Sequence, residues 1–306
     1  MTEADVCQLQ LYLRWTLSCC SFGPRRHRVG DGAFWETFTV AGMTITDGDL
    51  AVAAATAGAA VVRARYGAPL ERYAKTGTDF ATAADLEAEQ AILDVVRTAR
   101  PDDAFLGEEG GLTGSGERTW LVDPLCGTLN FAARTPLVAV NVALRPPAGV
   151  TAAAVVDPFA KEVYWVAGGR AGLRRDGAAV PLTPLAGSNL VDVDLPAADA
   201  TRFVTPRLLT DPAFLARFDP RVISSTLAVV WVASGRRAAY VIDRDVVDSV
   251  HFAAGIAVCR AAGCVVTDLR GGTVGDRPGL LVAADEATHA ALLPLLAIAL
   301  TAADRR

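Results

Sequence analysis

The 306-residue sequence is short of the features that mark several classes of protein. It holds only two lysines and three histidines, and its net charge is -5. No uncharged apolar run reaches the length of about 18 residues that a membrane-spanning helix needs. Such a weak net charge does not favour a nucleic acid or an anionic membrane as partner. We therefore expect a small-molecule ligand, with no nucleic-acid and no membrane partner.

The cysteines lack the spacing of a disulfide framework or a metal-binding knuckle, since no CxxC pair occurs. The six are Cys7, Cys19, Cys20, Cys126, Cys259 and Cys264. Apolar residues make up 52% of the chain and charged residues 21%, which is typical of a globular protein with a sizeable core. These features predict a reduced, cytoplasmic protein.

Changes in composition and in hydrophobic periodicity divide the chain into three parts. Residues 1–42 show no helical or strand periodicity, so they are either a disordered or regulatory tail or precede the true start of the protein. Residues 43–185 combine helices with short β-rich runs and predict an α+β half with a mostly antiparallel sheet. Residues 186–306 alternate strands with helices and predict an α/β half. A functional site is expected between the two halves.

Two helices are predicted near the start of the α+β half. An Ala- and Val-rich stretch predicts a helix over residues 49–65. The sequence Thr82-Ala-Ala-Asp85 has the pattern of a capping box, and Leu86, Ile92 and Val96 then fall on one helical face. After residue 186 a further helix is predicted near residues 206–217.

Three segments combine chemically active residues with glycine. Residues 107–111 read GEEGG, which places two acids in a loop where a carboxylate can face a cation. Residues 120–131 read WLVDPLCGTLNF, a buried strand that stops at Asp-Pro and is followed by a Gly-Thr turn suited to a phosphate. Residues 248–255 read DSVHFAAG, a polar cap that leads into a helix of small residues.

These segments resemble the inositol monophosphatase family. WLVDPLCGTLNF resembles the family signature W-x-V/I-D-P-x-D-G-T-x-N-F at every fixed position but one, and GEEGG is similar to its upstream G-E-E segment. HFAAG and the later AAGCVVTDL resemble its C-terminal W-D-x-A-A-G and A-G-G-x-V-T-D blocks. Residues 75–85 and 157–164 resemble two further segments. The match spans about residues 43–300 in five ordered blocks.

The resemblance implies an α/β fold, a layered αβαβα sandwich, and hydrolysis of a small phosphorylated polyol, sugar or nucleotide with Mg²⁺. It implies that Glu108, Asp123 and the carbonyl of Leu125 hold the first metal and that Thr128 with Glu108 positions the attacking water. Hard oxygen ligands suit Mg²⁺, and bound metal lowers the pKa of water. Backbone N–H groups at Gly127 and Thr128 would neutralise the phosphate. A homodimer is a further implication.

The second metal position departs from the family pattern. Cys126 stands where the signature has its second Asp, and counting back from Ala253 places His251 where the C-terminal block has its Asp. A shift of one residue would place Phe252 there instead. The implied second site is therefore Asp123, Cys126 and His251.

Three hypotheses remain open for this altered site. In the first, helix N-termini lower the pKa of the thiol and keep the imidazole neutral, so the softer site binds Zn²⁺ or Mn²⁺. In the second, the second metal is lost and a weakened phosphatase, or none, remains. In the third, Cys126 and His251 are structural residues of a catalytically impaired binding or regulatory protein.

Several other residues are candidates from their place in the matched segments. Lys75 is expected either to approach the active site or to be a surface residue, and Asp85 lies in the same segment. Ser225 and Asp245 are expected to contact substrate. Asp248 is expected either to contact substrate, and even to replace a missing carboxylate, or to be a turn and cap residue. His289 is expected on the surface.

Overall fold

The fold is described from a computed structural model, which covers residues 45–75, 80–185, 187–195 and 204–304. The predictions for residues 1–42 lie outside the described residues, as does residue 186 at the predicted boundary between the two halves. The described residues from Ile45 onward belong to one compact unit.

Two long helices that pack against each other form the first layer. Helix α1 is Asp47–Arg65, and its N-cap Thr46 accepts a hydrogen bond from the backbone N–H of Asp49. Helix α2 is Ala83–Ala99, and its N-cap Thr82 with Asp85 forms the predicted capping box. A short hairpin of β1 (Arg72–Ala74) and β2 (Phe80–Thr82) leads into α2.

An eight-stranded sheet packs against these helices in the order β10-β9-β8-β7-β6-β5-β3-β4. Its neighbouring strands are antiparallel except for the parallel pair β3 and β5, in agreement with the mostly antiparallel prediction. The strands are β3 (Ala104–Gly107), β4 (Gly111–Thr113), β5 (Thr119–Cys126), β6 (Ala139–Arg145), β7 (Ala152–Asp157), β8 (Glu162–Ala167), β9 (Arg170–Arg175) and β10 (Ala178–Val180). The short helix α3 (Thr128–Ala132) follows β5.

A five-stranded mixed sheet follows in the order β12-β11-β13-β15-β14. Its strands are β11 (Leu190–Val193), β12 (Asp219–Val222), β13 (Ala239–Ile242), β14 (Val265–Thr267) and β15 (Leu280–Ala283). The remaining helices are α4 (Val204–Leu208), α5 (Pro212–Leu215), α6 (Leu227–Ala233), α7 (Ala253–Ala262) and α8 (Glu286–Asp304). Strand β10 of the larger sheet ends at Val180, and β11 of the smaller sheet begins at Leu190.

Three apolar clusters pack five layers of helices and sheets against one another. One joins α1 and α2 to the eight-stranded sheet, with Trp120, Ile92 and Leu50 fully buried. A second surrounds α6 and α7 between the two sheets, and a third joins the five-stranded sheet to α4, α5 and α8. Each sheet thus has helices on both faces, which gives the αβαβα sandwich that the resemblance implies.

One predicted helix, near residues 206–217, is divided into α4 and α5. Asp211 accepts hydrogen bonds from the N–H groups of Ala213 and Phe214, and Pro212 opens α5. Proline cannot donate the backbone hydrogen bond of a helix interior but fits the first turn, so a new helix begins there.

Within the described part of the chain, no helix combines the length and apolar character needed to cross a membrane.

Candidate metal centre

The pairing of two strands brings the two main acidic motifs together. Strands β3 and β5 run parallel with Gly107 opposite Val122, and the N–H of Glu108 donates to the carbonyl of Val122 at 3.0 Å. Glu108 and Asp123 are the next residues on the two strands. Neighbouring positions at the same end of paired parallel strands lie side by side, so the two carboxylates meet.

The GEEGG loop is held in place by a glutamate on α2. Glu89 accepts hydrogen bonds from the N–H groups of Glu109 and Gly110 at 2.9 and 2.7 Å. A Cβ atom at Gly107 would collide with the Glu89 carboxylate, so glycine is required at this point of close approach. The loop therefore presents Glu108 in a fixed position.

A β-bulge brings Asp123 and Cys126 to the same side of β5. Asp123 lies opposite Asn141, and Cys126 lies opposite Ala139, so three steps on β5 match two on β6. In a regular strand, residues three apart would point to opposite faces. The extra residue of the bulge turns the Cys126 side chain to the same side of the strand as that of Asp123.

Asp123 is fully buried and oriented by two partners. Its Oδ1 accepts from the N–H of Leu125 at 3.0 Å, and its Oδ2 lies 2.6 Å from Nδ1 of His251. His251 comes from the turn just before α7, and its Nδ1 is also 3.9 Å from Oε2 of Glu108. Ligand atoms of Asp123, Cys126 and His251 lie within 4.8 Å of one another.

Burial and mutual repulsion perturb the acids of the centre. Burial, with Asp123 next to it, raises the pKa of Glu108 to about 8. Burial opposes ionisation of Asp123 as well, but the charge and hydrogen bond of His251 outweigh it and lower the pKa of Asp123. Burial also raises the pKa of Asp85, which lies near Asp123. Such a cluster is more stable when a cation neutralises it.

Lys75 reaches the acidic motif. Its Nζ lies 2.9 Å from Glu108 and 2.8 Å from Glu109. Burial lowers the pKa of Lys75, but the hydrogen bonds that it donates to these glutamates outweigh burial and raise it. Of the two placements considered for Lys75, the structure shows the one at the acidic motif.

The expected effect of helix N-termini on the altered residues is wrong. Cys126 is the last residue of β5, where burial and the nearby Asp123 carboxylate raise the pKa of its thiol well above the usual value. Burial lowers the pKa of His251, but the adjacent Asp123 outweighs burial and raises it. Burial is the main cause of the shift at Cys126, whereas the charge and hydrogen bond of Asp123 set its direction at His251.

Thr128, Asp85 and the carbonyl of Leu125 form one group beside the carboxylates. Oγ1 of Thr128 is 3.1 Å from Oδ1 of Asp85 and 3.3 Å from the Leu125 carbonyl oxygen. The capping interaction with Thr82 fixes the other Asp85 oxygen at 2.6 Å. Gly127 directly precedes Thr128 and has φ of 107°, a backbone conformation that glycine adopts without strain.

The remaining substrate candidates differ in their surroundings. Ser225 is buried just before α6, and its Oγ accepts from the N–H of Leu227 at 3.4 Å. Asp245 is exposed and caps a turn by accepting from the N–H of Val247 at 3.0 Å. Asp248 is exposed, adopts φ of 52° and forms an ion pair with Arg145. It is therefore not among the grouped ligand atoms, and its contact with substrate stays a prediction.

His289 was expected on the surface, and that prediction is wrong. It is 8% exposed, and its Nε2 lies 2.9 Å from Oγ1 of Thr267. The helical face of α8 that carries it packs on the five-stranded sheet.

Sequence reasoning missed three residues that support the centre. Glu89 orders the GEEGG loop, and Asn141 and Thr226 bond to each other at 2.9 Å beside Cys126. Two signals were available. Glu89 lies four residues after Asp85 on the buried face of α2, and Asn141 is a polar residue inside the apolar strand β6.

The family resemblance is supported by direct comparison with known proteins. A model of the inositol monophosphatase family matches residues 46–300. The chain belongs to the inositol monophosphatase family. The family is metal-dependent, and the grouped side chains at the centre fit a divalent cation.

Relatives and solved structures agree with this assignment. An inositol-1-monophosphatase of Mycobacterium leprae is 32% identical over 284 residues, covering 83% of this chain and 96% of that protein. A Nus factor SuhB of Salmonella typhimurium is 30% identical over 260 residues, covering 80% and 93%. The crystal structure of the extragenic suppressor protein suhB from Bartonella henselae has a TM-score of 0.71 at 25% identity, covering 81% and 97%. The predicted fold class is confirmed.

Proposed function

We propose that this chain is a phosphomonoesterase that uses a divalent metal to hydrolyse a small phosphorylated polyol, sugar or nucleotide. The observation that carries the proposal is the contact between Glu108 and Asp123. Both carboxylates approach the same atom, Nδ1 of His251, at 3.9 Å from Glu108 and 2.6 Å from Asp123, and burial with the nearby Asp123 charge raises the pKa of Glu108 to about 8. A buried pair of this kind is suited to share a cation.

Glu108, Asp123 and the carbonyl of Leu125 would hold Mg²⁺, since all three offer oxygen. Bound there, a divalent cation supplies Lewis acidity toward a phosphoryl oxygen and lowers the pKa of bound water. The hydroxyl of Thr128 is held by Asp85 at 3.1 Å and can orient the attacking water together with Glu108. Lys75 places a positive charge beside Glu108 and Glu109, where it can help to attract the anionic substrate.

The substrate side of the site is inferred from family membership. We place the phosphate near Gly127 and Thr128, with Ser225, Asp245 and Asp248 as candidates for contacts to the rest of the substrate. A small phosphorylated metabolite is the proposed partner, and the homodimer stays a prediction.

Phosphate release tests the proposal. The full chain, freed of metal by a chelator and resupplied with Mg²⁺, Mn²⁺ or Zn²⁺, is expected to release phosphate from at least one ester of a polyol, sugar and nucleotide panel. The matched control is Glu109→Gln, which alters the neighbouring acid but not a proposed ligand. No release with any metal, even in the variant Cys126→Asp/His251→Asp, would defeat the proposal.

A second candidate function is a catalytically impaired binding or regulatory protein. It is favoured by the two departures at Cys126 and His251, and relatives named Nus factor SuhB are among the matches. For this reason the absence of a nucleic-acid partner also stays a prediction. The same phosphate-release assay separates the two functions, because only the enzyme releases phosphate.

A further inference from the structure

We propose that Asp123, Cys126 and His251 form a transition-metal site that selects Zn²⁺ and related ions over Mg²⁺. The site adjoins the proposed oxygen site of Glu108, Asp123 and Leu125 and so deepens the proposed function. Its existence does not depend on catalysis, since it rests on the donor atoms alone.

The positions of the three donors fit one ion after small shifts. They lie within 4.8 Å of one another, whereas tetrahedral ligands at zinc distances are about 3.4 to 3.7 Å apart. The Asp123 to His251 contact of 2.6 Å must widen by about 1 Å, and the shared proton must leave. This shift would fall on the His251 ring, since its side chain is 29% exposed while that of Asp123 is fully buried.

The chemistry of the donors opposes Mg²⁺. Mg²⁺ prefers oxygen ligands in octahedral geometry, whereas a thiolate and an imidazole favour Zn²⁺, Co²⁺ and similar ions. One carboxylate, one sulfur and one nitrogen leave a fourth position open, as in catalytic zinc sites. Oε2 of Glu108 lies 3.9 Å from Nδ1 of His251 and borders that open side.

Neighbouring groups hold two of the donors in place. The N–H of Leu125 fixes Oδ1 of Asp123, which leaves Oδ2 toward the other donors. Thr226 lies beside Cys126 and is itself fixed by Asn141 at 2.9 Å. Partners of this kind orient metal ligands and sharpen affinity.

Cys126 differs from a purely structural thiol in the same molecule. Cys259 is fully buried and donates to the carbonyl of Val229 at 3.2 Å in an apolar cluster. Cys126 is only partly buried and faces a carboxylate and an imidazole. Cys126 also packs against this apolar cluster, but unlike Cys259 it has two further donor side chains beside its sulfur.

Cobalt spectroscopy tests the site directly. We would use the full chain with Cys7→Ser/Cys19→Ser/Cys20→Ser, strip it with a chelator and titrate it with Co²⁺. A thiolate-to-cobalt charge-transfer band with intense tetrahedral d–d bands is expected. A stoichiometric amount of Zn²⁺ should displace Co²⁺ and abolish the charge-transfer and d–d bands. A large excess of Mg²⁺ should leave both kinds of band unchanged.

Matched variants assign the band to its ligands. Cys126→Ser is expected to remove the charge-transfer band and weaken Zn²⁺ binding by about 100-fold or more. His251→Gln keeps the thiol and should weaken the tetrahedral bands, and Cys264→Ser should change nothing. Thermal unfolding of each variant shows that it is folded, and Cys126→Asp/His251→Asp should shift preference toward Mg²⁺.

The outcomes separate this site from the proposed activity. A missing thiolate band, or one that survives in Cys126→Ser, overturns the site even if Mg²⁺-dependent phosphate release persists. A Cys126-dependent band in a protein that releases no phosphate supports the site and defeats the phosphatase.

Discussion

Two buried acidic clusters lie on the same eight-stranded sheet and are neutralised in different ways. At the start of β8, Glu162 accepts from Arg175 at 2.6 Å, from Arg236 at 2.8 Å and from Tyr164 at 2.9 Å. At the ends of β3 and β5, Glu108 and Asp123 contact each other, with Lys75 and His251 as their cationic neighbours.

The pKa directions express this difference. Burial raises the pKa of Glu162, but the hydrogen bonds from its arginines and tyrosine outweigh burial and lower it. At Glu108, burial and Asp123 together raise the pKa to about 8. The first cluster is neutralised by arginines of the protein itself, and we propose that a bound cation completes the second. The charges that surround a buried carboxylate, rather than its burial alone, distinguish Glu162 from Glu108.

The largest expected effect comes from Asp123→Asn. Removing the carboxylate shared by both proposed sites should lower phosphate release by about 1,000-fold, because several kcal/mol of charge stabilisation are lost. In the metal-free protein the lost bond from His251 is partly offset because Glu108 loses a like-charge neighbour, so the loss of stability should be smaller than for Glu162→Gln. Steady-state assays and thermal unfolding check the two parts, and a large loss of stability without loss of activity would break the comparison.

Glu162→Gln should behave in the opposite way. It removes a charge paired with two arginines and should lower the free energy of unfolding by about 2–4 kcal/mol, less than for a fully buried pair because the arginines are partly exposed. Metal content should not change. Chemical denaturation measures the loss, with Glu87→Gln in the exposed pair with Arg65 as a control expected to cost under about 1 kcal/mol.

Thr128→Ala sharpens the comparison within the candidate site. It removes a hydroxyl held by Asp85 but no proposed metal ligand, so phosphate release should fall by about 100-fold at unchanged metal content. Thr128→Ser keeps the hydroxyl and should retain most of the rate. Equal rates in the alanine and serine variants would contradict the positioning role.

The smallest effect is a pH dependence of the Glu162 cluster. Because the folded pKa of Glu162 is lowered, its stabilisation is present above the unfolded pKa of about 4.3 and is lost as pH falls through the lower folded value. The stability difference between wild type and Glu162→Gln should stay constant between about pH 6 and 8 and shrink below about pH 4. Unfolding curves at each pH check this, and a difference that grows on acidification would show the wrong sign.

Much of the fold was predictable from local sequence. The capping box of Thr82 and Asp85 marked the start of α2, and the antiparallel runs marked the larger sheet. Both signals depend on residues close in the chain. The apolar pattern over residues 206–217 favours one continuous helix, so the division between α4 and α5 was not predicted. The local signal for that division is Asp211-Pro212.

The candidate site was predicted as a set of residues but not as an arrangement. The family resemblance pointed to Glu108, Asp123, Cys126 and His251 as neighbours. It did not predict the β-bulge that aligns Cys126 with Asp123, and it left open whether Lys75 approaches the active site or lies on the surface. It also gave the wrong direction for the Cys126 pKa, since that value depends on burial and a nearby charge that only the tertiary structure defines.

Metal content tests most directly the claim that the cluster of Glu108 and Asp123, unlike that of Glu162, is completed by a bound cation. The full chain, dialysed against Mg²⁺ with Zn²⁺ and then freed of unbound ions, is measured by elemental analysis. Wild type and Glu162→Gln are predicted to retain at least about one equivalent of divalent metal, and Asp123→Asn close to none. Equal metal content in wild type and Asp123→Asn would contradict the account.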